Sequence, residues 1–183
     1  MVRMITFHSR EGCEALTPNG NMALIEITDV PNNYIKTWEQ WNNKISISFF
    51  DADCVKFPKA TWETHRHMLF TKELAKQILD FVGMLPDFIT HIVVHCEAGV
   101  SRSAAVARFL ADHKYNIRIS QYNEARNMYV YMLLWQTMYD KSEQEFNEWA
   151  EEQSDFYIRD QWEEMLKKYK SDKKIILFTE GEK

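Results

Sequence analysis

Residues 95–103 read His95-Cys96-Glu97-Ala98-Gly99-Val100-Ser101-Arg102-Ser103. The segments on either side of this stretch have different periodicities. Before it, Ile92-Val93-Val94 is a short apolar and β-branched run, which predicts a buried strand. After it, Val106, Phe109 and Leu110 recur at helical spacing. The stretch therefore predicts a strand-to-loop-to-helix joint, and we expect the rest of the chain to hold that loop in place.

A loop at such a joint can bind an anion. Its backbone N–H groups can turn inward, and the dipole of the following helix adds positive potential. Gly99 permits the tight curl. The guanidinium of Arg102 is a planar fork that matches two oxygens of a phosphate group. The predicted phosphate-binding residues are Glu97, Ala98, Gly99, Val100, Ser101 and Arg102.

Cys96 is the predicted nucleophile of this loop. A cysteine that faces a positive field loses its proton readily, so we expect a thiolate near neutral pH. Ser103 can donate a hydrogen bond to the sulfur and stabilise it as a leaving group, and His95 is expected to brace the loop from behind. The competing interpretation is a buried structural cysteine at the end of a strand.

The stretch resembles the signature of the cysteine-dependent protein tyrosine and dual-specificity phosphatases, His-Cys-x5-Arg-Ser/Thr. Its version, with Ala98, Gly99 and Ser101, is similar to the dual-specificity branch. Rhodanese-like and arsenate reductase loops share the Cys–Arg spacing. The resemblance therefore depends on the flanking residues and on the strand and helix around the loop. The resemblance covers about residues 1–134 and is closest to small phosphatases of bacterial and bacteriophage type.

This resemblance implies metal-free hydrolysis of phosphate monoesters through a phosphocysteine intermediate, without a cofactor. The leading substrate is phosphotyrosine in a protein or peptide, and phosphoserine or phosphothreonine is a further possibility. A general acid is also required to protonate the leaving oxygen. The order Ile47-x-Phe49-x-Asp51 is similar to the strand-then-Asp arrangement of the family, so Asp51 is the predicted acid, and Asp53 is the alternative.

Asn127 is a predicted supporting residue. Many dual-specificity relatives carry an Arg-x4-Pro-Asn element in this region. This chain has Ala125-Arg126-Asn127 and lacks the proline. Asn127 is thus the candidate equivalent of the family's asparagine.

Composition and charge bound the remaining function classes. The chain has 183 residues, of which 45% are apolar and 27% charged, which is ordinary for one domain with a sizeable core. We predict one phosphatase domain over residues 1–183, with a core of about 1–139 and a helical extension of about 140–183. The net charge of −5 gives no indication of the basic surface that a nucleic-acid-binding protein presents. An odd number of cysteines and no membrane-length apolar run favour a cytoplasmic protein without a membrane partner.

The predicted fold class is α/β, with a mainly parallel central sheet flanked by helices. Apolar runs predict strands at residues 4–7, 23–27, 44–50 and 92–94, and a late strand at 173–179. Thr71 is a predicted N-cap, Ser120 is predicted to open a long helix, and Ser142 to Glu145 form a capping box. Ligands of such sheets bind at the carboxyl ends of the strands.

Three alternatives to a protein phosphatase remain open. An enzyme of the same mechanism could act on RNA 5′ phosphates or on phosphoinositides. A non-catalytic phosphate-binding module would keep the loop without a working acid. An arsenate reductase would need a cysteine relay, for which Cys13 and Cys54 have no obvious spacing.

Overall fold

The computed structural model describes residues 2–52, 68–114, 116–121 and 127–152. Within these ranges the strands are β1 (Arg3–Ser9), β2 (Met22–Thr28), β3 (Asn43–Ser48), β4 (His91–Cys96) and β5 (Ile117–Ile119). The helices are α1 (Arg10–Glu14), α2 (Lys72–Met84), α3 (Arg102–His113), α4 (Met128–Tyr139) and α5 (Glu143–Glu152), with a short 3-10 helix at Trp38–Gln40.

The described strands form one sheet in the order β3-β2-β4-β1-β5, and every neighbouring pair is parallel. The predicted α/β fold with a parallel central sheet is therefore confirmed. β4 lies in the middle, with β1 on one side and β2 on the other. Because parallel strands end at the same edge, the sheet brings the segments after Ser9, Thr28, Ser48 and Cys96 to one side of the molecule.

The two faces of the sheet are covered unequally. Helices α2 to α5 pack on one face, where alternate strand residues such as Ile5, Ile25 and Val94 join the main hydrophobic core. A smaller apolar cluster covers part of the other face. That cluster contains Cys13, Met22, Leu24, Ile35, Trp41 and Val93.

Most of the predicted elements are present with slightly different ends. The strands predicted at 4–7, 23–27 and 92–94 are confirmed and extend further, whereas β3 ends at Ser48 instead of Phe50. Thr71 is the N-cap of α2, and its hydroxyl accepts a hydrogen bond from Leu74 N at 3.3 Å. Strand β5 and helix α1 were not predicted.

The prediction that a helix opens at Ser120 is wrong. Ser120 directly follows β5, and its backbone N–H donates to Ile5 O at 3.4 Å, so this part of the chain continues along the sheet edge. Helix α4 begins only at Met128, because Asn127 is its N-cap and accepts from Val130 N at 3.1 Å.

The described part of the carboxyl-terminal extension is helix α5. Its capping box is confirmed, since Glu145 N donates to Ser142 Oγ at 3.2 Å and Ser142 N donates to Glu145 Oε2 at 2.9 Å. Phe146 and Ala150 join α5 to the main core. Residues 153–183, including the predicted strand at 173–179, lie outside the described residues, so the extent of the single domain stays a prediction. Within the ranges given above, no helix has the length and apolar character needed to cross a membrane.

Candidate active site

Cys96 is the last residue of the central strand β4, at the edge where the parallel strands end. Its Sγ lies 3.2 Å from Ser103 Oγ and accepts a hydrogen bond from Gly99 N at 3.3 Å. Cys96 is 1% exposed and Ser103 is fully buried. The structure thus brings together the predicted nucleophile and the hydroxyl that was expected to contact it.

The loop after Cys96 is held against the end of β1. Gly99 has a φ of +70°, and a Cβ placed there would lie 2.2 Å from Ser9 N and 2.5 Å from His8 C. Arg10 N donates to Glu97 O at 3.1 Å. Side chains at Glu97, Ala98 and Val100 are exposed, whereas Ser101 is buried. The tight curl predicted for Gly99 is present, and it depends on the absence of a side chain.

Arg102 is the first residue of α3 and is 3% exposed. Its Nη1 donates to Asp29 Oδ1 at 2.6 Å and to Phe49 O at 2.7 Å. Its Nε is buried and has no hydrogen-bond acceptor among the residues that the structure describes. A buried donor without an acceptor is costly, and an oxyanion bound along this edge of the guanidinium would supply one. Asp29 was not identified from the sequence, because it contacts Arg102 across 73 residues.

Asp51 lies three residues beyond the end of β3 and is tied directly to the cysteine loop. Its Oδ1 accepts hydrogen bonds from Ser101 Oγ at 2.7 Å and from Asn127 Nδ2 at 2.9 Å. Both of these hydrogen bonds end on the same carboxylate oxygen. The structure thus brings Asp51 and Asn127 to the loop, while the alternative acid, Asp53, lies outside the described residues.

Asn127 connects Asp51 to helix α4. It is fully buried, and besides Asp51 its Nδ2 contacts Ala52 O at 3.1 Å. Its Oδ1 caps helix α4 by accepting from Val130 N. One side chain therefore fixes both the start of a helix and the position of Asp51.

His95 is buried on the face of the sheet opposite to the Cys96 side chain, because successive strand residues point to opposite faces. Its Nε2 lies 3.3 Å from Oε1 of Glu26, a residue of β2 that is also fully buried. His95 lies one residue before Cys96 in β4, and its expected role in bracing the loop stays a prediction. Glu26 was missed, although a charged residue inside the apolar run Ala23-Leu24-Ile25-Glu26-Ile27 was a usable signal.

Comparisons with known proteins add no relative to this picture. No protein-family model matches the chain, and no curated protein matches it either. Among the described residues, no group of three or more histidine, cysteine and carboxylate side chains is arranged to hold a metal ion.

Proposed function

We propose that this chain hydrolyses phosphate monoesters through a covalent phosphocysteine at Cys96, and that its leading substrate is phosphotyrosine in a protein or peptide. The observation that carries the proposal is the contact between Asp51 and the cysteine loop. A carboxyl group from the end of β3 accepts a hydrogen bond from Ser101 Oγ at 2.7 Å, although the two residues are 50 positions apart. This contact supports a site in which a nucleophile and a proton donor act at one anion-binding loop.

In the first step, the Cys96 sulfur attacks phosphorus and the bond between phosphorus and the ester oxygen breaks. Arg102 and the loop amides bind the non-bridging oxygens, whose charge is spread in the transition state. The leaving oxygen takes a proton from Asp51. Because the hydrogen bonds from Ser101 and Asn127 both end on Oδ1, a protonated Asp51 carries its proton on Oδ2, which is the oxygen that can donate it.

In the second step, water attacks phosphorus and the sulfur–phosphorus bond breaks, which releases inorganic phosphate. Asp51, now ionised, takes a proton from the attacking water. Ser103 Oγ lies 3.2 Å from Cys96 Sγ and can donate a hydrogen bond to the departing thiolate. The enzyme is then returned to its starting protonation state.

We also propose a cytoplasmic setting and no stable nucleic-acid or membrane partner. A thiolate nucleophile needs reducing conditions, because oxidation to a disulfide or sulfenic acid removes it. Cys13 and Cys96, the two cysteines in the described part of the chain, are both free thiols. The net charge of −5 disfavours binding of an extended polyanion. We therefore expect the loop to bind one phosphate group.

The test is hydrolysis of a small aryl phosphate in the presence of a chelator. The natural chain is expected to turn over, Cys96→Ser to fall to background, and Asp51→Asn to lose about 10²–10⁴-fold in kcat. Cys13→Ser is the matched control, because Cys13 is also a buried free thiol but belongs to the opposite face of the sheet. Full activity in Cys96→Ser, or activity that the chelator abolishes, would contradict the mechanism.

Two further comparisons refine the proposal. A normal rate in Asp51→Asn together with a loss in Asp53→Asn would assign the acid to Asp53. Relative kcat/KM values for a phosphotyrosine peptide, a phosphoserine peptide, a 5′-phosphorylated RNA and a phosphoinositide decide the substrate class. We expect the phosphotyrosine peptide to rank first, and a higher value for the RNA or the lipid would replace the proposed substrate while leaving the mechanism intact.

A further inference from the structure

Residues 29–34 follow strand β2 and are named here the rim segment. At the start of this segment, Asp29 Oδ1 accepts a hydrogen bond from Arg102 Nη1 at 2.6 Å. At its end, the guanidinium of Arg10 donates to Tyr34 O at 2.6 Å, and the backbone N–H of Arg10 donates to a carbonyl oxygen of the cysteine loop at 3.1 Å. The rim segment is therefore attached at both ends to the site proposed to bind phosphate.

The backbone of the rim segment is also held by hydrogen bonds from its other neighbours. Thr28 Oγ1 donates to Val30 O at 2.9 Å, and the N–H of Ile35, directly after the segment, donates to Glu26 Oε1 at 2.8 Å. Asn32 has a φ of +62°, a conformation that asparagine adopts more readily than most residues. A surface that is already ordered loses less conformational freedom when a ligand binds to it.

The rim segment exposes apolar side chains although its backbone is ordered. Val30 is 55% exposed and Tyr34 is 40% exposed, and the Tyr34 ring is stacked on Trp38 with the ring centroids 4.5 Å apart. Val100 in the cysteine loop is 43% exposed. Eight large apolar side chains are exposed in the part of the chain that the structure describes, and these three belong to two segments that are joined to each other. Exposed apolar side chains that gather beside a binding site indicate a contact surface.

The charges beside this surface restrict what can bind there. The side chain of Asp29 is 46% exposed, whereas its partner Arg102 is 4% exposed. Glu97 in the cysteine loop is also exposed. Among the described residues, an acidic side chain or a second phosphate group next to the bound phosphate would therefore meet negative charge. An uncharged apolar group fits this surface better.

We propose that the rim segment binds an apolar side chain that is adjacent to phosphotyrosine in a peptide substrate, with Val30 and Tyr34 as the contact residues. The occupant follows from continuity with the phosphate site, because a phosphoryl group held by Arg102 lies next to Asp29 and the peptide that carries it passes over the adjoining residues. This inference rests on the proposed function and deepens it, since it names the class of peptide.

The test compares two phosphotyrosine peptides that carry either leucine or serine directly before and after the phosphotyrosine. The natural chain is expected to have about fivefold higher kcat/KM for the leucine peptide, and the difference should lie in KM because the contact is outside the reacting group. Val30→Thr replaces one methyl group by a hydroxyl and should reduce the preference to about twofold. The double variant Val30→Thr with Tyr34→Ser should abolish it. No preference in the natural chain, or a preference that persists in the double variant, overturns the proposal.

Val2→Thr is the matched control. Val2 is 50% exposed but precedes β1, at the opposite edge of the sheet from the cysteine loop. This variant should keep the full preference for the leucine peptide. All of these variants should hydrolyse a small aryl phosphate at the natural rate, because that substrate has no neighbouring residues. A Val30→Thr variant that loses the same factor on the aryl phosphate and on both peptides would show a displaced site, and would overturn the proposal.

Peptide binding to Cys96→Ser separates this inference from the proposed hydrolysis. Fluorescence anisotropy of labelled peptides requires no turnover, and we expect the leucine peptide to bind about fivefold more tightly than the serine peptide. The added change Val30→Thr should reduce this difference to about twofold. Equal binding of the two peptides overturns the inference even if hydrolysis is confirmed. Absence of hydrolysis in the natural chain would contradict the proposed reaction, whereas the difference in binding would still support the rim contact.

Discussion

The replacement of Gly99 by alanine tests how tightly the loop geometry controls activity. In the structure, an alanine Cβ at this position would lie 2.2 Å from Ser9 N and 2.8 Å from His8 O, whereas ordinary contacts begin near 3.4 Å. These neighbours are backbone atoms of β1, which cannot rotate away. The loop must therefore retreat by about 1.2 Å, and the side chain must also occupy a φ of +70°.

Both effects have known magnitudes. A misplacement of about 1 Å in a catalytic arrangement can reduce the rate about 100-fold, so we expect kcat/KM to fall by about that factor. A residue with a side chain in the left-handed region costs about 1–2 kcal/mol, which should appear as a lower free energy of unfolding. The two measurements are turnover of an aryl phosphate and urea unfolding followed by circular dichroism.

Gly83→Ala is the control for this prediction. Gly83 lies in helix α2, and a Cβ there meets no atom within 4 Å. This variant should keep the natural rate and gain about 0.5–1 kcal/mol in stability, because alanine favours the helix. A Gly99→Ala variant with a rate within about threefold of the natural chain would refute the reasoning that a displaced loop loses its transition-state contacts.

Three further predictions follow from individual contacts. Serine is a good N-cap but too short to reach Asp51, so Asn127→Ser should keep the helix cap but lose some stability, because Ala52 O loses a donor at 3.1 Å. It should also lose about tenfold in kcat, because Asp51 loses a donor at 2.9 Å. Unchanged kcat would argue against this role. Asp29→Asn removes a negative charge 2.6 Å from Arg102, so inhibition by vanadate should tighten by about two- to fivefold, and weaker inhibition would contradict it. His113 has a pKa lowered mainly by burial, against the opposing effect of a neighbouring aspartate. His113 therefore binds a proton less readily in the folded protein than in the unfolded protein. Its contribution to the free energy of unfolding is complete above about pH 6.5 and decreases as the pH falls below that value. Urea unfolding at several pH values should show the free energy of unfolding decreasing below about pH 6.5. The variant His113→Gln should show a smaller decrease.

The strands and the cysteine loop could be predicted because their signals are local. Apolar, β-branched runs in a parallel sheet are buried on both faces, so Ile92-Val93-Val94 needs no tertiary information to predict a strand. The loop after it combines residues whose chemistry depends on a short spacing. Helix α1 and strand β5 have five and three residues, which is too short for periodicity to be visible.

The contacts that complete the site could not be predicted in the same way, since they join distant parts of the chain. Asp29 reaches Arg102 only because β2 ends at the same edge of the sheet as β4. Asn127 was selected by resemblance, but its contact with Asp51 depends on α4 starting at Met128, eight residues later than predicted. Glu26 lies behind the loop because of the strand order, which no local pattern specifies.

The most direct measurement of the central claim is capture of the covalent intermediate. The natural chain is mixed with an aryl phosphate, quenched in acid within a single turnover and analysed by peptide mass spectrometry. We expect one phosphoryl group on the peptide that contains Cys96, formed before inorganic phosphate is released, and no such group in Cys96→Ser. Steady hydrolysis without this adduct, or a phosphoryl group on another residue, would contradict the account.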